Sequence, residues 1–317
     1  MTAYLVKRLL MVVPTVWGAV TLVFLAIHLA PGDPISLYIP ADFPVNASEE
    51  RIQELRARVG LDRPLYEQYL SFLAGVVQFD LGTSLQHRTP VAEAILERLP
   101  RTLELGLLSL AIAVALGVPI GVLSAIRRGS LLDNVAMSVA LFGVSIPNFW
   151  LGILLMQLVG LYWPILPPSG FGGSILTLDG LRFALLPAIT IGISGAGGLA
   201  RYTRSSMLDV LNEDYVRTAR SKGLSDRVVV YKHAMRNALI PIVTLLGLSF
   251  GSMLSGAVIV ETVFGWPGIG RYLVTGIQNR DFPVVQGAVL VIAVGFVLAN
   301  LLTDIVYGFI DPRIRYD

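Results

Sequence analysis

Six apolar runs, each near the length that crosses a lipid bilayer, constrain this chain more than any other feature. A helix rises about 1.5 Å per residue and the hydrocarbon core is about 30 Å thick, so roughly 20 apolar residues make one crossing. The runs extend from Leu9 to Ala30, Leu103 to Ile126, Asn134 to Leu161, Phe183 to Leu208, Ala238 to Val260 and Val284 to Ile310. The expected fold is therefore an all-α membrane protein with six transmembrane helices. In the fourth run Gly192, Gly195, Gly197 and Gly198 lower helix propensity, but they also let neighbouring backbones approach closely.

Composition agrees: with 54% hydrophobic and only 15% charged residues the chain needs lipid around it. A net charge of +2 over 317 residues excludes nucleic acid as a partner by bulk attraction. The absence of cysteine excludes disulfides, thiolate metal sites and a cysteine nucleophile, without fixing the compartment. Placement of the positive residues gives orientation. Lys7 and Arg8, Arg127 and Arg128, the group from Arg217 to Arg236, and Arg313 with Arg315 all fall on one side. The short opposite loops hold only Arg182, Arg271 and Arg280, so positive-inside counting puts both termini in the cytoplasm. The first run follows Lys7 and Arg8 as a signal peptide would, but it exceeds the roughly 7 to 15 residues of such a core and is expected to be retained.

Three regions follow: a first transmembrane helix (1–30), an extracytoplasmic helical cap inserted between the first and second spans (31–101), and a five-helix core (102–317) with a cytoplasmic coupling loop at 210–236. In the cap, Asn46 with Glu49 forms a capping-box pattern and Ile52, Leu55 and Val59 keep helical spacing. Leu65, Tyr69, Phe72 and Leu73 predict a second helix after Pro64, and Val91, Ile95 and Leu99 a third that ends near Pro100. Whether this cap only covers helix ends or docks an external partner stays open.

The stretch from Asp214 to Pro241 places helical segments on either side of Gly223 in a long basic loop. Val216, Ala219 and Leu224 are expected to make a short apolar face framed by Arg217, Arg220 and Lys222, with Gly223 turning the chain and both small residues admitting a partner closely. A basic amphipathic helix resting on anionic lipid is the competing reading.

This segment resembles the coupling (EAA) loop of permeases in the ATP-binding-cassette importer superfamily, in its peptide and nickel branch. Of the general E-A-A…G pattern only Ala219 and Gly223 remain, with Arg217 and Thr218 at the first two positions, so no role passes to the missing glutamate. Arg217 to Leu224 (R-T-A-R-S-K-G-L) and Arg236 to Pro241 (R-N-A-L-I-P) match the branch form instead. Pro31-Gly32-Asp33-Pro34, Gly60 to Pro64, Asp80 to Ser84, Leu99 to Leu103, Glu261 to Gly270 and Asp311-Pro312-Arg313 extend the resemblance over the whole chain.

The resemblance implies a type I importer permease in a bacterial inner membrane, forming half of a pathway for di- or oligopeptides. It further implies a second related permease, two cytoplasmic ATPase subunits that bind ATP and magnesium, and an extracytoplasmic substrate-binding protein. Asp214, Tyr215, Arg217, Ala219, Lys222, Gly223 and Leu224 would meet an ATPase subunit. No cofactor, catalytic residue or metal ligand is expected in this chain, and the cargo, peptide or nickel, stays open.

Polar groups at lipid depth are costly and usually face protein or water, which makes Pro147, Asn148, Gln157, Asn300 and Asp304 candidates. Pro147 is expected to kink the third span, with Asn148 answering either freed backbone groups or a passing peptide. Gln157 is a further pathway candidate, and Glu261 is expected at the outer mouth, facing a peptide's amino group. Asp304 is expected to pair with an arginine of the cytoplasmic face. Gly247, Gly251, Ser252 and Gly256 form a small-residue stripe suited to helix packing.

Two other function classes are disfavoured. An ion-gradient-driven secondary transporter calls for buried carboxylates and repeated halves, whereas the midplane here is almost free of carboxylates and no internal repetition is visible. An intramembrane enzyme needs a catalytic constellation, yet His28, His87 and His233 are scattered. A phosphate loop is missing too: Arg220-Ser221-Lys222-Gly223 lacks the required order.

Overall fold

Helices form where the hydropathy places them. The computed structural model describes residues 2–28, 53–54, 56–57 and 62–310. In chain order the helices are α1 (Thr2–His28), α2 (Leu65–Val77), α3 (Val91–Ile126), α4 (Leu131–Ser145) and α5 (Asn148–Leu155), the last running into a π-helical turn at Met156–Tyr162. Then come α6 (Leu178–Leu211), α7 (Asp214–Ser221), α8 (Asp226–Val228), a second π-helical turn at Val229–Ala234, α9 (Met235–Phe264), α10 (Ile269–Gln278) and α11 (Phe282–Ile310). Among the described residues four helices, α1, α3, α6 and α11, are each long and apolar enough to cross a membrane, and the number rises to six if each of two bent pairs is one span.

The third apolar run is a break rather than the expected kink. Proline lacks an N–H and pushes the residue before it into extended backbone. Ile146 (φ −76°, ψ 127°) and Pro147 (φ −61°, ψ 130°) are both extended, and α4 meets the segment Asn148–Tyr162 at 102°. The second bend, 46°, falls between Leu239 and Pro241.

The expected third cap helix is instead the first part of α3, which continues through Pro100 and Pro119. The boundary drawn at residue 101 therefore cuts a continuous helix. Proline removes one backbone bond but not the burial around it: Val91 and Ile95 pack with Ile269, Val284 and Ala288 on one side of Pro100, and Leu105 joins the central core on the other. Pro31 to Pro34, Asn46, Glu49, Ile52, Leu55, Val59, Gly60, Leu61 and Asp311 to Arg313 lie outside the described residues.

At the centre, α6 packs against α3 through glycines. A methyl group on Gly117 would collide with the Ala196 carbonyl and Leu199, and one on Gly121 with the Ala200 carbonyl and Thr203. Gly192 sits against Ile112 and Gly197 against Ala140 and Val144, so α6 also touches α4 at backbone distance. In lipid this close packing supplies the attraction that the hydrophobic effect supplies in water. Gly247 and Gly251 do the same for α9 against Thr303 and Phe296 of α11.

Polar ties fix the helix ends. Arg8 and Asp304 pair at 2.7 Å, joining α1 to α11 as the sequence suggested for Asp304. Asp133, fully buried, takes two bonds from Arg204 at 2.7 and 2.8 Å and one from the Gly129 N–H at 2.9 Å, joining α4 to α6. The cap rests on α1 through Phe24, which stacks on Phe72 and meets Tyr69 edge-on, and through a 2.6 Å hydrogen bond shared by Thr21 and Tyr69.

Candidate functional site

The coupling segment begins with an amphipathic helix of a single stripe. Val216 and Ala219, three residues apart on α7, are 0% and 7% exposed and pack on Val229 with Val210 and Leu211 beside them. The sequence had assigned this stripe to a partner; it faces the chain's own core, because the nearest apolar surface is the start of the segment that leads into α9. Leu224 stays 40% exposed, and Asp214, Tyr215, Arg217, Thr218 and Lys222 share the outward side. Gly223 has φ +78°, a conformation that costs an L-residue roughly 1–2 kcal/mol, and an added methyl there meets nothing within 4 Å. It makes the turn that ends α7, with its N–H donating to the Arg220 carbonyl at 2.9 Å.

One bond ties this helix to the membrane core, and a second joins α6 to α9 beside it. The Asn237 side-chain amide donates to the Tyr215 hydroxyl at 2.7 Å, and the Ser206 hydroxyl of α6 donates to the Ala238 carbonyl at 2.9 Å. Both land just ahead of the bend at Pro241, so R-N-A-L-I-P is the stretch where α7, α6 and α9 are joined. The ion pairs Arg217–Asp214 (3.6 Å) and Arg220–Asp226 (3.4 Å) are exposed and contribute little.

A cavity of about 270 Å³ lies between α4, α5, α6 and α9. Asn148, Ser194, Gly195, Gly198, Tyr202 and Ser249 line it, together with aliphatic side chains. Of the four sequence-predicted pathway residues only Asn148 is here: Pro147 stands exposed at the break, Gln157 is exposed on the π-helical turn, and Glu261 is elsewhere. The glycines of α6 divide by side. Gly192 and Gly197 pack against neighbours, whereas Gly195 and Gly198 open on the cavity and a methyl at Gly198 meets nothing within 4 Å. Tyr202 and Ser194 were missed, although Ile191, Gly195, Gly198 and Tyr202 follow one another at helical spacing. None of the lining side chains carries a formal charge, so the wall offers neutral donors and acceptors on an apolar background.

Glu261 does not face a solute path in this structure. It is fully buried; one carboxylate oxygen accepts from the Thr102 hydroxyl (2.7 Å) and the other from the Arg271 N–H (3.1 Å). Thr102 in turn accepts from the Ile269 N–H at 2.8 Å, and the Trp266 indole donates to the Arg101 carbonyl at 3.0 Å. Gly268 and Gly270 leave no room for a methyl beside the carboxylate, and Gly265 ends α9 at φ +69°. E-T-V-F-G-W-P-G-I-G is thus a knot that fastens α10 to α3 and α9. D-L-G-T-S has a similar use: the Ser84 hydroxyl and the Leu85 and Gln86 N–H groups all donate to Asp281 at the entry to α11.

Known proteins resemble this chain in sequence and in fold. Residues 117–316 match the family model described as "Binding-protein-dependent transport system inner membrane component", and residues 1–106 match the N-terminal model of the same transport systems. The chain is 42% identical over 340 residues to the dipeptide transport system permease protein DppB of Escherichia coli K12, covering 100% of this chain and 99% of that protein. It is likewise 42% identical over 316 residues to the glutathione transport system permease protein GsiC of the same organism, covering both chains completely. Among solved structures, the inward-facing MetNI methionine ABC transporter shares the fold at a TM-score of 0.59 and 15% identity, over 69% of this chain and 96% of that one. An amino acid ABC transporter with histidines does so at a TM-score of 0.51 and 19% identity, over 70% and 94%.

Proposed function

This chain belongs to the family of binding-protein-dependent transport system inner membrane components, and from that premise we propose that it is the permease subunit of an ATP-driven peptide importer. It is a multi-pass membrane transport component and not an enzyme. ATP and magnesium belong to partner ATPase subunits, and a substrate-binding protein delivers cargo. A second permease completes the pathway, two ATPase subunits sit on the cytoplasmic side with both termini, and α2 with α10 lies outside.

The observation that carries the reading is α7. An eight-residue helix is seated on its own chain by Val216 and Ala219 while Tyr215, Arg217, Lys222 and Leu224 stand outward. A helix that only rested on lipid would turn its apolar stripe to the membrane; here that stripe is already used. The outward side is the contact for an ATPase subunit, and movement of α7 reaches α9 through Tyr215 and Asn237 just before the bend at Pro241. Asn148, Ser194, Tyr202 and Ser249 then supply this chain's half of the path. Neutral hydrogen-bonding groups suit the backbone amides that all small peptides share and place no demand on side-chain charge.

The test is uptake of a labelled dipeptide into proteoliposomes holding the purified importer complex. The reading expects uptake with ATP inside the ATPase compartment and none with a sodium or proton gradient alone. Gradient-driven uptake by this chain without other subunits would favour the secondary transporter instead.

A further inference from the structure

Helix α2 follows the first span, yet its contacts place it at lipid depth. Tyr69 and Phe72 hold the ring of Phe24, and Tyr69 shares a 2.6 Å hydrogen bond with Thr21. Thr21 and Phe24 both belong to the apolar span Arg8–Ala26, and Thr21 lies roughly 7 Å short of its outer end at about 1.5 Å per residue. The Thr21 hydroxyl already donates to the Trp17 carbonyl, so Tyr69 supplies the proton of the shared bond. A phenol that enters lipid needs such an acceptor. The chain just after α2 gives a second depth mark. Gly82 faces the Pro283 side chain in the first turn of α11, whose apolar span is Phe282–Ile305. A helix of 13 residues, about 20 Å long, therefore meets the outer ends of two spans, one at its middle and one just past its end. Its axis runs along the membrane boundary and not away from it.

The pattern of side chains on α2 is independent of this placement and agrees with it. Tyr66, Leu70 and Val77 recur at helical spacing on the flank beside the Tyr69–Phe72 face, and they are 64%, 59% and 78% exposed. Glu67 and Ser71 take the remaining side. Apolar residues thus cover more of this helix than α1 uses. The helix closes in a paired turn, with the Phe79 N–H donating to the Val76 carbonyl and the Asp80 N–H to the Gly75 carbonyl, which sets Phe79 at φ +57°. Glycine or asparagine takes that position without strain, but here it carries an aromatic ring that is 77% exposed. An apolar stripe with an aromatic ring beside it, opposite a polar side, is the composition of a helix that lies in the membrane interface.

We propose that α2 is an interfacial helix sunk into the outer leaflet, with Tyr66, Leu70, Val77 and Phe79 in contact with lipid. The lipid-facing surface of α1 continues onto it through Phe24, and the depth of Thr21 falls within the roughly 5–10 Å to which such helices bury their apolar face. No lysine or arginine lies between Leu65 and Val77, so apolar contact holds the helix and anionic lipid is not required. The inference requires α1 to span the bilayer and is separate from the question of what the chain transports.

The experiment is spin labelling of the assembled importer in phosphatidylcholine liposomes. Nitroxides at Leu70→Cys and Val77→Cys are compared with Glu67→Cys and Ser71→Cys on the same helix, and with Leu22→Cys, 69% exposed on α1. Each is read by its collisions with dissolved oxygen, which concentrates in lipid, and with a water-soluble nickel chelate. Leu70 and Val77 are expected to favour oxygen over the chelate several-fold, as Leu22 does, while Glu67 and Ser71 favour the chelate. All these positions are exposed, and one member of each pair suffices if the other does not assemble. Chelate contact at Leu70 and Val77 equal to that at Glu67 would overturn the proposal by placing α2 in water. Exclusion of both reagents from Leu70 and Val77 would overturn it in favour of a protein cover, the substrate-binding protein or another part of the cap. An oxygen preference that appears only after phosphatidylglycerol is added would overturn apolar insertion in favour of attraction to charge. Chelate contact at Leu22 would overturn the span of α1 and this inference together.

Discussion

Adjacent glycines of α6 should answer mutation in opposite ways. Gly197 and Gly198 sit side by side in one helix, but an added methyl at Gly197 runs into the Ala140 carbonyl, whereas at Gly198 it meets nothing within 4 Å. Replacing glycine by alanine inside a helix gains about 1 kcal/mol in propensity. At Gly198 that gain is unopposed, so Gly198→Ala should raise the thermal stability of the purified chain slightly and leave uptake intact. At Gly197 a backbone carbonyl cannot rotate away as a side chain would, and overpacking of this kind costs about 1–3 kcal/mol, so Gly197→Ala should be destabilised on balance. Gly198→Phe separates stability from transport. A cavity of about 150 Å³ holds one benzene, so a phenyl ring occupies more than half of the 270 Å³ at this site. The variant should assemble and melt near wild type yet lose most ATP-driven dipeptide uptake in proteoliposomes. Full uptake by Gly198→Phe would refute the assignment of this cavity to the path. Equal stability of Gly197→Ala and Gly198→Ala would refute the packing argument.

Gly223→Ala should assemble but transport several-fold less, because the left-handed turn after α7 costs an alanine roughly 1–2 kcal/mol; Gly223→Asn, which tolerates that conformation, should recover most uptake. Arg204→Ala leaves Asp133 buried without its cation and should cost about 3–5 kcal/mol, seen as a lower melting temperature, while the pair Asp133→Ala with Arg204→Ala should cost clearly less. Thr102→Val removes a donor from Glu261 and an acceptor from Ile269, and should destabilise by about 1–3 kcal/mol in the same assay without changing the cargo accepted.

Much of the architecture is legible because lipid makes length and hydropathy decisive: α1, α3, α6 and α11 lie where the apolar runs put them. Breaks are harder to read. Pro147 and Pro100 carry the same missing N–H and both are exposed, but Pro147 is extended beside an extended Ile146, while Pro100 lies in a helix anchored by buried Ile95 before it and buried Thr102 and Leu105 after it, and only packing tells them apart. The coupling motif was legible by position and not by face, since a stripe spaced as Val216 and Ala219 are fits an intramolecular core as well as a partner. Glu261 shows the reverse difficulty. A carboxylate at a helix end reads as a solute contact until Thr102, 159 residues away in sequence, supplies its hydrogen bond. The pairing of Asp133 with Arg204 across 71 residues was equally out of reach of local pattern. Tyr202 and Ser194 were within reach, on the same helical stripe as the two glycines that open on the cavity.

The absence of cysteine makes one measurement direct. Single cysteines at Arg217, Lys222 or Val216 can be oxidatively cross-linked, one at a time, to cysteines scanned over the surface of the ATPase subunit in native membranes. The account predicts cross-links from Arg217→Cys and Lys222→Cys that change in yield with ATP, and none from Val216→Cys, whose side chain is fully buried against Val229. Cross-links from Val216→Cys alone, or none from either outward position, would contradict α7 as the contact that couples this permease to ATP hydrolysis.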